Sequence, residues 1–393
     1  MAGEKAAQAL KESAQAQLET YNIRYGPLGL QLGGTVRASY TDNAFYSHTN
    51  RVDDYVINPE ADLGGLLQVS ELNTLRFNLG VGYEYYLRNN SLNGNAPLVN
   101  PDSELAFNVF VGNFHFRVHD KFSYQETLFI NTTPNEQSIL FNFTDVTGTF
   151  ARWDNFAGVT ADWDLDKLIL SVGYDHENFA SETPIFNYLS RASELFTGSA
   201  SVMVGDHATI GVESQAGIHN YDEETILNDH FQARAGPFVD AKLAEKINLR
   251  AGGGYDTARY SPAIEGSYES YYAYGNLSQE TRLFTHMFSA GHEHLLGVNA
   301  NNLEDVYFRY SITSAIVEHV DLGASASVHL DREYGGPFTE RYVYYLIGLK
   351  AGYQFQKYWR GDVGYEFMLK GGSNLPDRDF YRSRVTLGVT YTF

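Results

Sequence analysis

Apolar and polar residues alternate along most of this chain with a period of two. The clearest stretch covers residues 75–88, where odd positions are apolar or aromatic and even positions are mostly charged, polar or glycine. Successive side chains of a strand point to opposite faces, so this pattern predicts strands with one apolar face and one polar face. The run exceeds the usual five or six residues of a strand and suits a tilted crossing of a bilayer.

The alternation recurs to the end of the chain and predicts about eighteen strands, with sixteen as the alternative. The approximate ranges are 29–42, 54–70, 74–88, 103–117, 121–131, 148–164, 167–178, 193–205, 207–220, 229–243, 247–258, 269–279, 282–293, 303–317, 320–331, 340–356, 359–370 and 379–393. Tight turns are expected at 71–73, 118–120, 164–166, 205–207, 244–246 and 356–358, with longer polar loops between them. An even strand number with short turns at one rim and long loops at the other is typical of a transmembrane up-and-down β-barrel. The sequence therefore predicts an all-β, antiparallel barrel over residues 23–393.

Residues 1–22 have a different composition. Ala, Gln, Lys and Glu dominate residues 6–20, and these helix formers show no clear apolar stripe. We expect a short polar helix or a flexible tail at the periplasmic end of the barrel. The alternative is a small plug inside the barrel.

Composition narrows the classes of protein. The 393 residues carry a formal charge of −20, and no basic stripe is visible, which argues against nucleic-acid binding. The absence of cysteine excludes disulfides, thiolate metal sites and cysteine nucleophiles. No run of about 18 apolar residues predicts a membrane-spanning helix. We expect a protein of the cell outer membrane whose signal peptide has been removed.

The last predicted strand carries the most specific signal. Val385, Leu387, Val389, Tyr391 and Phe393 occupy one face, while arginine, threonine and glycine occupy the other. This strand resembles the last strand of outer-membrane protein families, which ends in an aromatic residue preceded by alternating apolar positions. The resemblance implies that Leu387, Val389, Tyr391 and Phe393 form a signal for the barrel-assembly machinery, read by pairing along a strand edge.

Two further segments carry a looser resemblance. The segments 152–166 (RWDNFAGVTADWDLD) and 276–286 (NLSQETRLFTH) are similar to strands of the β-barrel porin 2 family. Some members of that family accompany surface-polysaccharide export systems. The resemblance implies the barrel architecture and leaves the solute open.

The polar faces of the strands predict the wall of an aqueous lumen. A barrel of sixteen to eighteen strands leaves a channel, and charged residues facing lipid cost roughly 2–4 kcal/mol at the midplane. The expected lumen-lining residues are Arg37, Arg76, Glu84, Arg88, Glu213, Arg234, Asp240, Arg250, Arg360, Asp362, Glu366 and Arg384. Both signs are present, so no strong ion selectivity can be read from this set.

The loops offer two hypotheses. The third long loop, about residues 131–148, is the candidate constriction, with Glu136, Ile139, Phe141, Phe143 and Asp145 as its residues; it could equally extend a strand above the membrane. Several acidic residues fall in predicted loops. They either bind divalent cations and anionic lipopolysaccharide, or are simply solvated.

The sequence leaves two functions open. The first is a porin-like channel for passive diffusion of ions and small hydrophilic solutes. The second is the barrel component of a polysaccharide exporter or another envelope complex, with a partner filling the lumen. We expect no enzymatic activity, no cofactor and no metal site, because no catalytic or nucleotide-binding motif appears. The expected partners are outer-membrane lipid and lipopolysaccharide, the barrel-assembly machinery and small solutes; a homo-oligomer or a complex partner stays open, and nucleic acid is excluded.

Overall fold

The alternating segments pair into one antiparallel sheet that closes on itself. The computed structural model describes residues 18, 21–94, 96–126, 151–260, 266–317, 319–336 and 339–393. Within these residues, each main strand pairs with the next in sequence, and the last pairs with the first through Gly33↔Thr392 to Thr41↔Arg384. The prediction of eighteen strands is confirmed, and sixteen is excluded.

The wall strands are labelled β1 to β18 in chain order. They are β1 Leu28–Thr41, β2 Asp54–Gln68, β3 Thr74–Gly82, β4 Glu104–Val111, β5 Phe114–Gln125, β6 Arg152–Asp164, β7 Leu168–Ser181, β8 Arg191–Val204, β9 Ala208–Tyr221, β10 His230–Ala244, β11 Ile247–Tyr260, β12 Tyr268–Glu280, β13 Phe284–Leu296, β14 Asn302–Val317, β15 Val320–Tyr334, β16 Glu340–Gln356, β17 Trp359–Gly371 and β18 Phe380–Thr392. Three short strands, Ile23–Tyr25, Tyr85–Tyr86 and Leu98–Val99, and two 3₁₀ turns, Asn90–Leu92 and Pro184–Leu189, complete the described elements. Among the described residues, no helix has the length and hydropathy needed to span a bilayer.

The two faces of the wall differ as the alternation predicts. Large apolar side chains such as Val36, Val172 and Leu387 point outward and are more than half exposed. The residues between them point inward, where charged and small polar side chains meet across neighbouring strands. An apolar outer band around a polar interior is the arrangement that lipid outside and water inside require.

Connections at the two ends of the barrel differ in length. We call the end that carries the two- to five-residue turns the short-turn rim, and the opposite end, whose connections have five residues or more, the long-loop rim. One predicted turn was wrong. Residues 118–120 lie inside β5, and the chain reverses instead at residues 112–113, where Gly112 takes a φ of +60°. That left-handed conformation suits the first central position of a two-residue hairpin turn.

The polar run 119–121 misled the prediction for a physical reason. His119 and Lys121 point into the lumen, and Asp120, between them, accepts a hydrogen bond from Asn155 Nδ2 on the adjacent strand. A polar run inside a barrel strand therefore imitates a turn. The predicted strand 74–88 is also interrupted, because regular pairing ends at Gly82 and resumes briefly at Tyr85–Tyr86.

β10 and β11 approach each other unusually closely at a pair of glycines. A Cβ on Gly236 would lie 2.6 Å from Cα of Gly254, and a Cβ on Gly254 would lie 2.5 Å from Cα of Gly236. Both contacts would be with backbone, which cannot rotate away. Only glycine allows the two strands this approach.

We predict that Gly254→Ala destabilises the barrel by about 1–3 kcal/mol, because the added methyl group must push two strands apart. Urea unfolding of the protein in detergent measures the change. Gly275→Ala is the matched control, since a Cβ there meets nothing within 4 Å. Equal stability of the two variants would contradict the prediction.

Candidate permeation path

Eleven of the twelve residues predicted to line the lumen lie on the inner face. They are Arg37, Arg76, Glu84, Glu213, Arg234, Asp240, Arg250, Arg360, Asp362, Glu366 and Arg384. Arg88 is placed differently. It stands at the long-loop rim, is ion-paired with Asp53 and lies 4.8 Å over the ring of Tyr55, which points outward. Arg88 therefore belongs to the rim and not to the path.

The inner charges are mostly held in pairs across strands. Arg37 Nη1 lies 2.7 Å from Glu60 Oε2, and Arg360 Nη1 lies 2.6 Å from Asp321 Oδ2. Glu104 forms ion pairs with both Arg76 and Arg117. Such cross-strand pairs fix long side chains against the wall and leave the axis of the barrel to water.

A cavity of about 1650 Å³ occupies the barrel interior. Its lining reaches from the short turn at residues 281–283 to Tyr46 near the long-loop rim. Among the described residues, the charged side chains of this lining comprise seven basic and five acidic ones: Arg37, Arg282, Arg309, Lys350, Arg360, Arg382, Arg384, Glu60, Glu84, Asp321, Asp362 and Glu366. The cavity wall is therefore net positive, although the whole chain carries −20.

The first long loop, residues 42–53, folds into the barrel near the long-loop rim. Tyr46 is only 8% exposed and belongs to one buried cluster with Leu295, Leu303 and Phe380, which come from three different strands. Its ring meets that of Phe380 edge-on at 5.5 Å. The loop thus narrows the lumen at this level.

Tyr46 is held by polar contacts as well as packing. Arg382 donates to its hydroxyl group and places its guanidinium 4.6 Å from the ring centroid. Burial raises the pKa of Tyr46, and the nearby guanidinium opposes that rise only in part. The phenol therefore stays protonated and neutral at physiological pH. A φ of +55° at Tyr46 bends the loop inward.

The same loop is bound to the last strand. Asp42 Oδ1 accepts the N–H of Ser383 at 2.7 Å, and the Asp42 N–H donates to the carbonyl of Ser383 at 3.2 Å. Asn43 Nδ2 donates to the carbonyl oxygens of Ser47 and Tyr381, both at 2.9 Å. The first loop and the closing strand β18 are thus joined by backbone and side-chain bonds.

Other long loops pack together in a second cluster at the same rim. Leu189, Leu227, Leu296 and Val298 come from three loops or strand ends and form one buried cluster with Phe179 and Tyr221. Two carboxylates stabilise this layer from within: Glu333, near the end of β15, accepts the N–H of Val298 at 3.2 Å, and Asp229, in a loop, accepts that of Tyr221 at 2.7 Å. Both acidic side chains accept backbone N–H groups at the rim, and Glu333 is fully buried.

Sequence reasoning missed the first loop. Its signal was present, since residues 44–46 place Ala, Phe and Tyr in a loop where apolar side chains need burial. The predicted constriction at residues 131–148, with Glu136, Ile139, Phe141, Phe143 and Asp145, lies outside the described residues. Most of the N-terminal segment 1–22 does too.

Two residues of that N-terminal segment contact the inner wall. Leu18 and Tyr21 lie against Gly29, and Tyr21 also approaches Gly64. Both glycines are on the inner face near the short-turn rim. At this point the segment lies on the inside of the barrel.

The apolar face of β18 points outward. Leu387, Val389 and Phe393 are exposed, and the ring of Tyr391 lies beside that of Trp359, tilted by 50° with centroids 4.8 Å apart. The N–H of Phe393 donates to the carbonyl of Leu32 at 2.7 Å, which extends the closing pairing to the end of the chain. Recognition of this strand by assembly machinery stays a prediction.

Comparison with solved structures identifies the same architecture in outer-membrane proteins. OpdK of Pseudomonas aeruginosa, solved with vanillate, is 11% identical at a TM-score of 0.53, covering 93% of this chain and 99% of its own. OccK2 (OpdF) of the same organism, solved with glucuronate, is 10% identical at 0.53, covering 93% and 98%. OccAB3 of Acinetobacter baumannii is 11% identical at 0.52, covering 93% and 99%. At these identities the likeness establishes the fold. No protein-family profile and no curated protein matches the chain.

We predict that Tyr46→Ala increases single-channel conductance, because it removes the ring that narrows the lumen. The loop should also lose on the order of 3 kcal/mol of packing free energy, as for other buried aromatic truncations. Planar-bilayer recording measures the first effect. Phe45→Ala, in the same loop but 39% exposed, is the control and should leave conductance unchanged. Equal conductance in Tyr46→Ala and the unaltered protein would refute the assignment.

Proposed function

We propose that this protein is a porin-like channel of a bacterial outer membrane that passes ions and small hydrophilic solutes by diffusion. The main support for this proposal is the charged cavity inside a closed eighteen-stranded wall with an apolar outer band. Water and polar solutes can occupy such an interior, whereas the outer face requires lipid. No step in this function needs a cofactor.

The charge of the cavity supports a preference for anions. The described lining of the cavity has seven basic and five acidic side chains. A low-dielectric wall focuses the electrostatic potential inside the channel. A small surplus of basic side chains in the cavity therefore affects a permeating ion more than the remote charge of the loops does. OpdK and OpdF were solved with vanillate and glucuronate, two small molecules that carry a carboxylate. We therefore propose small carboxylates as the solute class.

The second candidate function is an export or scaffold barrel of an envelope complex, as the resemblance to the β-barrel porin 2 family implies. One observation favours it. Leu18 and Tyr21 lie against inner-face glycines, so the N-terminal segment begins to enter the lumen from the short-turn rim. A barrel plugged there would not conduct steadily.

Around the barrel, we propose that lipid and lipopolysaccharide contact the apolar outer face and the long loops. Assembly would proceed through β18, with Leu387, Val389, Tyr391 and Phe393 as the recognised face. Outward aromatic residues near the short-turn rim, such as Trp359, suit the interface between lipid and water.

The first test is planar-bilayer recording of the purified protein. We expect steady open conductance with a reversal potential that indicates weak anion preference in a KCl gradient. A silent barrel that begins to conduct after removal of residues 1–20 would favour the plugged alternative. A barrel that is silent in both forms would contradict the channel function.

Selectivity can be tested at Lys350, which lines the cavity and forms no ion pair with another described residue. Lys350→Glu leaves six basic and six acidic side chains in the lining, so the anion preference should disappear. Lys357→Glu makes the same charge change in a short turn and is absent from the lining. A reversal potential that shifts equally in both variants would place the selectivity outside the cavity.

The assembly role can be tested at the terminal aromatic. Phe393→Ser should lower the fraction of heat-modifiable, membrane-inserted barrel in cells. Phe355→Ser is the matched control, since both rings are outward and about equally exposed, 48% and 47%. Equal insertion of the two variants would remove Phe393 from the signal.

A further inference from the structure

Two carboxylates and an imidazole converge on the inner face between β14 and β15. Asp305 and Asp331 are directly opposite each other in the strand register, and His329 precedes Asp331 by two residues on the same face. One potential ligand atom from each of the three lies within 4.8 Å of the others. We call these residues the Asp305 cluster. All three are buried, with Asp305 wholly inaccessible.

One of the two carboxylate oxygens of Asp305 has no hydrogen-bond donor in the described part of the chain. Oδ2 faces His329 Nδ1 at 3.0 Å, whereas Oδ1 has no hydrogen-bond partner among the described residues. A buried carboxylate oxygen without a donor loses its hydration free energy without compensation. The cluster thus has, besides its three converging ligand atoms, an unsatisfied acceptor oxygen on its fully buried member, Asp305.

The surrounding charges increase the need for a cation. Carboxylates directly opposite each other on paired strands destabilise a sheet. A third, Glu293, is opposite Asp305 on the other side, which makes a row of three acidic residues across β13, β14 and β15. Arg234 lies 3.8 Å from Glu293, and Arg309 Nε lies 3.5 Å from His329 Nε2. These two guanidinium groups contact Glu293 and His329, and neither is paired with Asp305 in the described part of the chain.

We propose that the Asp305 cluster binds a divalent transition-metal ion, with Zn²⁺ the best match. An imidazole with two carboxylates is a donor set that Zn²⁺ accepts, whereas Ca²⁺ and Mg²⁺ prefer oxygen donors alone. On binding, the ion takes the lone pair of His329 Nδ1, so the ring proton moves from Nδ1 to Nε2 and the contact of Arg309 Nε with Nε2 opens. The site is on a wall strand two residues from Leu303, which packs against Tyr46, so an ion here would stiffen the narrow part of the lumen.

A neighbouring group provides an internal comparison. His292, His294 and Glu304 also bring three potential ligand atoms within 4.8 Å. Their contacts are more complete on the carboxylate side: His294 Nδ1 faces Asp256 at 3.2 Å, and Glu304 contacts both His292 and Arg332. Both carboxylate oxygens of Glu304 therefore have a contact, whereas Oδ1 of Asp305 has none in the described part of the chain. We therefore assign the ion to the Asp305 cluster.

The test is Zn²⁺ binding to the full-length protein, purified in detergent and stripped with EDTA. Metal analysis after equilibrium dialysis should give one tightly bound Zn²⁺ per chain. Asp305→Asn and His329→Gln should each weaken binding at least about tenfold, as loss of metal-site residues generally does. Heat-modifiable migration of each variant verifies that the barrel has folded.

His115→Gln is the matched control. His115 faces Asp162 at 3.2 Å on the inner wall, which is a single histidine–carboxylate pair without the second carboxylate. This variant should bind Zn²⁺ as the unaltered protein does. Loss of binding in His292→Gln with retention in His329→Gln would overturn the assignment, as would the absence of a stoichiometric ion.

A second measurement needs no substitution. Crystals of the unaltered protein soaked in Zn²⁺ should give an anomalous scattering peak between Asp305, His329 and Asp331. A peak at another position, or none, would refute the site even if the variants failed to fold.

Discussion

Every backbone N–H and C=O group inside a bilayer needs a partner within the protein, and the rest of this structure depends on that constraint. An open sheet would present two unpaired edges to hydrocarbon. Here the pairing of β1 with β18 removes both edges, and the bond between Phe393 and Leu32 carries it to the rim. Once the ring is closed, the period of two assigns alternate residues to lipid and to water.

Because that assignment is local, much of it could be read from the chain. Strand number, the alternation of short and long connections and the inward position of residues such as Arg37 and Glu366 all follow from the period of two and from turn residues. Residues 118–120 were misread because an inward polar side chain inside a strand resembles a turn. The apolar residues of the first loop indicated that it is buried, but the cluster that buries Tyr46 could not be predicted, since its other members lie about 250 to 335 residues away in sequence.

The distribution of charge also depends on contacts that composition does not reveal. The chain is strongly acidic, yet its cavity has more basic than acidic side chains. Part of the difference lies in carboxylates that serve loops: Asp42, Asp229 and Glu333 each accept backbone N–H groups near the long-loop rim. The net charge of the chain therefore does not give the charge that a solute meets inside the barrel. That charge is set by the side chains that line the cavity.

The bonds of Asp42 and Asn43 to β18 connect two properties that are usually considered separately. The first loop is synthesised early, but its partners Ser383 and Tyr381 belong to the last strand. These bonds cannot form until the final strand has joined the first. A barrel still under construction consequently lacks its narrow point, and completion of the ring and restriction of the pore occur in one event. The narrow pore of this protein would therefore be present only in molecules whose barrel has closed.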